Sequence, residues 1–195
     1  NITRNAVSAT YGLSVRCIKN DNVMVSTKTV VVSNDKYNYD KNVQLEPVKK
    51  DNKWGFANES GEIVLQSNYD YAYPFRDGLA AVFVNRKYGF IDGMGNTIVP
   101  VVYEAISSMA FANGYIGAKL NGKWGYIDIQ NNIVTPFMYD DIGNASNDMA
   151  PVKLNGKWGY IDGKGIVRGD IKYDEVEFFH KGAGIVMVGS KYGLV

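Results

Sequence analysis

The sequence holds one cysteine, one histidine and five prolines in 195 residues, and no long hydrophobic run. A lone Cys17 excludes an internal disulfide and any multi-cysteine metal site. A lone His180 removes histidine triads, histidine dyads and multi-histidine metal centres, and beside Lys181-Gly182 it reads as a polar loop residue. The longest β-branched run, Val30 to Val32, falls far short of the roughly 18 consecutive apolar residues a membrane-spanning helix takes. Charge of one sign is missing too: 21 Lys and Arg oppose 20 Asp and Glu, a net of +1, and the lysines are spread along the chain rather than gathered in a stripe. That removes the electrostatic footprint of a nucleic-acid or anionic-membrane binder. The expectations are no nucleic-acid partner, no direct membrane insertion of this chain, no metal and no cofactor.

What is present is ordinary globular material, 46% hydrophobic, organised as a repeat. Five copies of Lys-(Trp/Tyr)-Gly occur: Lys53-Trp54-Gly55, Lys87-Tyr88-Gly89, Lys123-Trp124-Gly125, Lys157-Trp158-Gly159 and Lys191-Tyr192-Gly193. The aromatic positions fall 34, 36, 34 and 34 residues apart, and the two extra residues sit near Asn113-Gly114. A period of this length marks a repeat architecture whose units bury their apolar faces against one another. Further columns keep step. A tyrosine follows each of the first four aromatics by fifteen residues (Tyr69, Tyr103, Tyr139, Tyr173), each followed by Asp70, Glu104, Asp140 or Asp174. Small or aliphatic residues recur six before the aromatic (Val48, Val82, Ala118, Val152, Val186) and eighteen after it (Ala72, Ile106, Ile142, Val176), as packing positions do.

Within a unit, alternation such as Ala80, Val82, Val84 or Ile116, Ala118, Leu120 predicts a strand. Asn121-Gly122 and Asn155-Gly156 then predict type I′ hairpin turns, whose two central residues both need positive φ. Asp51-Asn52, Asn85-Arg86 and Gly189-Ser190 fill the same slot, the last suited to type II′. Pairing across Asn121-Gly122 sets Lys119 opposite Trp124, Ala118 opposite Gly125 and Gly117 opposite Tyr126. One face is then thin at Gly125, where another backbone can approach. The other carries Trp124 and Tyr126, with a lysine stem over the indole. A second turn is predicted at Gly61, Gly95, Asn131 and Gly165, positions suited to left-handed backbone. A third apolar stretch comes next, and Pro100 and Pro136 are expected to stop it in two units.

The fold class expected is all-β: a tandem array of antiparallel hairpins or three-stranded units forming an open or curved solenoid, with a closed propeller-like ring as the alternative. Residues 1–44 read as the end of a preceding β domain plus a linker, with Tyr11 to Lys19 as one strand. Residues 45–195 read as the array, about four and a half units long. Unit five and Thr29-Val30-Val31-Val32 leave two arrangements open: the run pairs with the last hairpin and closes a ring, or it belongs to a linker. A leader segment is expected either to be cleaved or to lie outside this stretch.

Asn-Gly-Lys-Trp-Gly-Tyr-Ile-Asp at 121–128 and 155–162 closely resembles the WG-repeat (KWG-repeat) family, and the likeness extends over roughly residues 45–195. Tyr88 and Tyr192 depart from its tryptophan, and Ala57-Asn58 departs from its usual Ile-Asp. The resemblance implies a bacterial repeat protein of the envelope or secreted space, with an interaction role and no family-wide enzymatic activity. Tyr11 to Lys19 also resembles the closing strand of the Fibrobacter-type major paralogous domain, which implies a cell-surface setting.

Candidate sites are few. Cys17, in an alternating strand, reads as a small buried hydrophobe. Asp140-Asp141 and Asp174-Glu175 lie in repeat columns and lack the differently tuned environments that glycosidase carboxylates need. The Asp-Gly-Met-Gly run at 92–95 and Asp-Gly-Lys-Gly at 162–165 imitate calcium or phosphate loops without their full ligand patterns, and turn chemistry accounts for them. The remaining candidates are the aromatic rows, Trp54, Tyr88, Trp124, Tyr126, Trp158 and Tyr160, which either stack on a ligand or form the core between units. The function expected is a non-enzymatic repeat module for protein interaction or surface display, with carbohydrate binding by Trp/Tyr ladders as the alternative. Partners are then a protein or a glycan, and the setting is the cell envelope, surface or secreted space.

Overall fold

The computed structural model describes residues 15–17, 26–28, 39–108, 114–146, 148–177, 179–180 and 182–195. The chain divides into two compact units, residues 1–38 and 39–195. In the first, β1 (Val15–Cys17) pairs antiparallel with β2 (Ser26–Lys28), so the described part of the Tyr11 to Lys19 run is strand. The rest of that run, and Val30 to Val32 with the ring or linker alternative resting on it, lie outside the described residues.

The second unit is a train of small antiparallel sheets without a helix among the described residues, and none of the sheets closes into a barrel. The first sheet is β3 (Glu46–Lys50), β4 (Lys53–Ala57) and β5 (Ile63–Tyr69). The next is β6 (Tyr71–Ala72), β7 (Leu79–Val84), β8 (Lys87–Asp92) and β9 (Thr97–Tyr103). The third is β10 (Ala105–Ile106), β11 (Tyr115–Leu120), β12 (Lys123–Asp128) and β13 (Ile133–Tyr139). The fourth is β14 (Asp141–Ile142), β15 (Met149–Leu154), β16 (Lys157–Asp162) and β17 (Val167–Tyr173). The last is β18 (Glu175–Val176), β19 (Ile185–Val188) and β20 (Lys191–Leu194). Each is a meander in chain order. Sheets two to four have four strands where two or three were expected, because the chain leaves one sheet after its tyrosine, bends at a single acidic residue and adds two residues to the edge of the next.

The hairpin registers are those the turn chemistry dictates. Lys119 faces Trp124, Ala118 faces Gly125 and Gly117 faces Tyr126. Asn121 and Gly122 take φ of 52° and 76°, as a type I′ turn requires. The second turn uses Gly61, Gly95, Asn131 and Gly165, all with positive φ.

Proline does not end the third strand. Both β9 and β13 run on through Pro100 and Pro136 to Tyr103 and Tyr139. The register explains it: Tyr88 pairs with Tyr103 but Phe90 with Val99, so Gly89 of β8 alone faces three residues of β9, and Pro100 is one of the three in that bulge. Trp124 with Tyr139 and Tyr126 with Thr135 repeat the pattern around Pro136. A bulged edge strand needs no amide at those positions, so proline is tolerated.

The bulge also explains the glycine of the motif. A Cβ on Gly55 would lie 2.5 Å from the Leu65 carbonyl oxygen, and one on Gly125 would lie 2.9 Å from that of Thr135. The backbone that approaches the thin face is therefore the unit's own third strand, folded over the glycine.

Cores form between sheets. Phe56 packs with Ala72, Ala80, Val82 and Ile91; Phe90 with Ile116, Ala118 and Ile127; Tyr126 with Ala150, Val152 and Ile161. In every case the aromatic two residues after the Trp/Tyr inserts between small and β-branched residues of the following sheet. Burying each such ring stabilises by about 1.5–3 kcal/mol, and an isolated sheet of this size has nothing equivalent.

Candidate functional site

Two carboxylate columns are taken up by the fold itself. Asp140, at the bend between sheets, accepts from Lys123 Nζ at 2.6 Å on one oxygen and from the Gly156 N–H at 3.2 Å on the other. Asp70 does the same with Lys53 at 2.5 Å and the Asn85 N–H at 2.7 Å, and Asp174 with Lys157 and the Gly189 N–H. Glu104 takes the Gly122 N–H at 2.9 Å, with Lys87 Nζ more distant at 3.5 Å. Each acid ties the lysine of one unit to the hairpin turn of the next. The lysine's hydrogen bond is the main cause that lowers the pKa of Asp70, Asp140 and Asp174, and the Gly122 amide is the main cause for Glu104.

The second column closes the other turn. Asp92 Oδ1 accepts from the Met94 and Asn96 amides, and its Oδ2 from the Asn96 side chain. Asp128 repeats this with Gln130 and Asn132. Asp162 accepts from the Lys164 and Ile166 amides and pairs with Arg168. The Asp-Gly-x-Gly runs are thus local turns whose acceptors are filled by their own backbone. Among the described residues, no three His, Cys, Asp or Glu side chains gather as a metal site. Backbone hydrogen bonds join His180 and Ala183 in a tight turn. Cys17 lies on β1.

The six aromatic candidates separate into two kinds. Tyr126 and Tyr160 are each 2% exposed, inserted between sheets. Their hydroxyls donate across the junction, Tyr126 to the Gly143 carbonyl at 2.8 Å and Tyr160 to the Glu177 carbonyl at 2.6 Å. Burial raises both phenol pKa values, that of Tyr160 to about 12. Trp54, Tyr88, Trp124 and Trp158 are partly buried, on the same strand face as the ring two residues on but nearer the hairpin turn. Lys119 Nζ lies 5.9 Å from the Trp124 ring centroid, and Lys153 Nζ lies 5.5 Å from that of Trp158, so these indoles are covered by a cation in the way the pairing predicts.

Sheet two departs from this rule. Its cross-strand row reads Tyr71, Phe83, Tyr88, Tyr103, aromatic on every strand. The same row reads Ala105, Lys119, Trp124, Tyr139 in sheet three and Asp141, Lys153, Trp158, Tyr173 in sheet four. Trp54 and Tyr71 lie 4.9 Å apart by ring centroids, Tyr71 and Tyr73 4.7 Å, and Phe83 and Tyr88 4.6 Å. Burial, and after it the neighbouring Tyr88, raises the Tyr73 phenol pKa. Tyr71 remains 42% exposed. An open cleft of about 520 Å³ borders the row, lined by Phe83, Asn85, Arg86, Lys87, Tyr88 and Glu104. Reading the sequence for a shared aromatic ladder missed Tyr71, Tyr73, Phe83 and Arg86. The signal that finds them is the opposite one, positions where a unit breaks its own columns.

A family model described as WG containing repeat matches four consecutive copies, at residues 54–88, 88–124, 124–158 and 158–192. No curated protein matches the chain. With the Trp/Tyr-Gly motif pinned beneath a bulged third strand in one sheet after another and the family model running from Trp54 to Tyr192, this chain belongs to the WG-repeat family.

Proposed function

We propose that this repeat module is non-enzymatic and serves protein interaction, presenting a fixed surface to a partner at a cell-surface or secreted location. The observation that supports it is the aromatic row of sheet two. The fold does not require Tyr71 and Phe83, since sheets three and four form with Ala105 or Asp141 and Lys119 or Lys153 in their places. Partly exposed aromatic side chains beside an arginine are the residue types that anchor protein interfaces, and a scaffold that holds them still lowers the entropy cost of binding. The repeat carboxylates support the non-enzymatic reading, because their acceptors already serve bends and turns.

A photo-crosslinking residue at Tyr71, exposed to extract from the source cells, should give a discrete protein adduct that the same residue at Gln66 does not. Adducts equal at both positions, or none at either, would remove the support for this reading. Carbohydrate binding is the second reading, since the exposed Tyr71 ring also offers a single face to a sugar. A glycan array that lights only when Tyr71 and Phe83 are intact would replace the first reading with it.

A further inference from the structure

We infer that the aromatic row of Tyr71, Tyr73, Phe83 and Tyr88, with the cleft that Phe83 and Tyr88 line, binds an extended proline-rich segment with an acidic residue at one flank; this rests on the protein-interaction reading above and names its ligand. The first support is ring orientation. Successive rings are neither coplanar nor stacked: Trp54 and Tyr71 tilt by 47°, Tyr71 and Tyr73 by 58°, Phe83 and Tyr88 by 47°. A sugar ring stacks on a flat platform, whereas tilted neighbours make notches that accept a ridge. A polyproline II helix offers such ridges, and aromatic-lined grooves are how proline-rich segments are recognised.

Spacing agrees. Two centroid steps of 4.9 and 4.7 Å carry Trp54 to Tyr73, within about one 9 Å turn of polyproline II. Polar chemistry agrees as well. A polyproline II backbone makes no internal hydrogen bonds, so its carbonyls seek donors, and Tyr88, whose phenol can donate, lines the cleft.

Charge selects the flank. Arg86 is exposed in the β7–β8 turn, where sheets three and four have Gly122 and Gly156. Lys87 stands beside it, 3.5 Å from Glu104, while the lysines of the other three pairs lie at 2.6 Å or closer to their acids. Glu104 is meanwhile engaged by the Gly122 amide. The cleft therefore has cationic groups with spare capacity, and an aspartate or glutamate in the ligand matches them.

The test uses substitutions that restore the residue other sheets carry at the same position, so the repeat itself vouches for the fold. These are Tyr71→Ala, Phe83→Lys and Arg86→Gly. The probe is a fluorescein-labelled peptide of repeated Pro-x-x-Pro ending in two glutamates. Comparison peptides replace the prolines by Gly and Ser, or the glutamates by Gln. Fluorescence anisotropy should show the Pro/Glu peptide binding the whole chain and the Gly/Ser peptide not binding. Tyr71→Ala and Phe83→Lys should each weaken binding about tenfold or more with the melting temperature unmoved. Arg86→Gly should abolish the preference for Glu over Gln flanks. Failure of the Pro/Glu peptide to bind, or binding indifferent to these substitutions, overturns the inference. If a discrete protein adduct still forms at Tyr71 in that case, the interaction reading stands and only the polyproline assignment falls. Oligosaccharides that bind and are lost with Phe83→Lys would overturn both.

Discussion

Asp140 joins two units by accepting the backbone N–H of Gly156, the second residue of the next hairpin turn, while Lys123 of its own sheet holds the other oxygen. The same three-part clasp recurs at Asp70, Glu104 and Asp174, so four sheet junctions depend on an ionised carboxylate. The folded pKa of each lies below its ordinary value, 3.8 for the aspartates and 4.5 for the glutamate. A depressed folded pKa means stability that is complete above the unfolded value and lost as pH falls through the folded one. Thermal melts of the whole chain should be flat above the ordinary carboxylate range and decline below it. Asp140→Asn should shrink that decline, and so should high salt, since the pairs are solvent-accessible. A melting temperature independent of pH down to 2.5, roughly the foot of the carboxylate range, would show the clasps contribute nothing.

Glycine in the motif separates two environments that look identical in sequence. Gly125→Val places a side chain against the Thr135 and Pro136 carbonyls at 2.9 and 3.0 Å, so the bulged strand must move. Destabilisation of about 2–4 kcal/mol is expected in denaturant titration, on the scale of overpacking a core. At Gly193 a Cβ would meet only Val186, at 3.9 Å. Gly193→Ala should therefore be close to neutral, and equal effects at the two sites would contradict the bulge-over-glycine geometry.

Tyr126→Phe removes the hydroxyl that donates to the Gly143 carbonyl but keeps the ring between sheets. Phe56 and Phe90 already occupy that column in the first two sheets. The expected cost is about 1 kcal/mol for the hydrogen bond. Tyr126→Ala should cost about 3–5 kcal/mol, as other large-to-small core changes do. A ratio near one would place the ring outside the core.

Trp124 is partly exposed, flanked by Lys119 and paired with Tyr139. Trp124→Ala should destabilise by less than Tyr126→Ala, about 1–3 kcal/mol. Lys119→Met should leave the melting temperature within a degree or so, because a surface cation–π contact amounts to only about 0.5–1 kcal/mol. A larger loss at Trp124 than at Tyr126 would reverse the assignment of core and rim on their shared face.

Chelation should leave the melting temperature unmoved. The turn carboxylates of Asp92 and Asp128 are each met by two backbone amides and an asparagine side chain. A reproducible drop in the presence of EDTA would show that one of these loops holds a cation in solution.

The hairpins, their type I′ turns, the register placing Lys119 against Trp124 and the buried columns at Val82, Ala118 and Val152 were all legible in the sequence. They depend on neighbours within a few residues, where side-chain alternation and positive-φ chemistry decide the outcome. The family was legible for the same reason, since five copies of one local pattern are more informative than one. Features that arise from contact between units were not legible. Trp124 and Tyr126 share one hairpin face, so alternation cannot tell which ring enters the core; where along the strand the next sheet packs decides it. Pro100 reads as a strand end until the bulge opposite Gly89 shows that its missing amide has no partner to lose. Lys123 and Asp140 are visible columns seventeen residues apart, but only the bend between β13 and β14 brings them together with the turn of the following unit. The aromatic row of sheet two is the clearest case. Tyr71, Phe83 and Tyr88 come from three strands, and only cross-strand pairing turns three departures from the repeat into one surface.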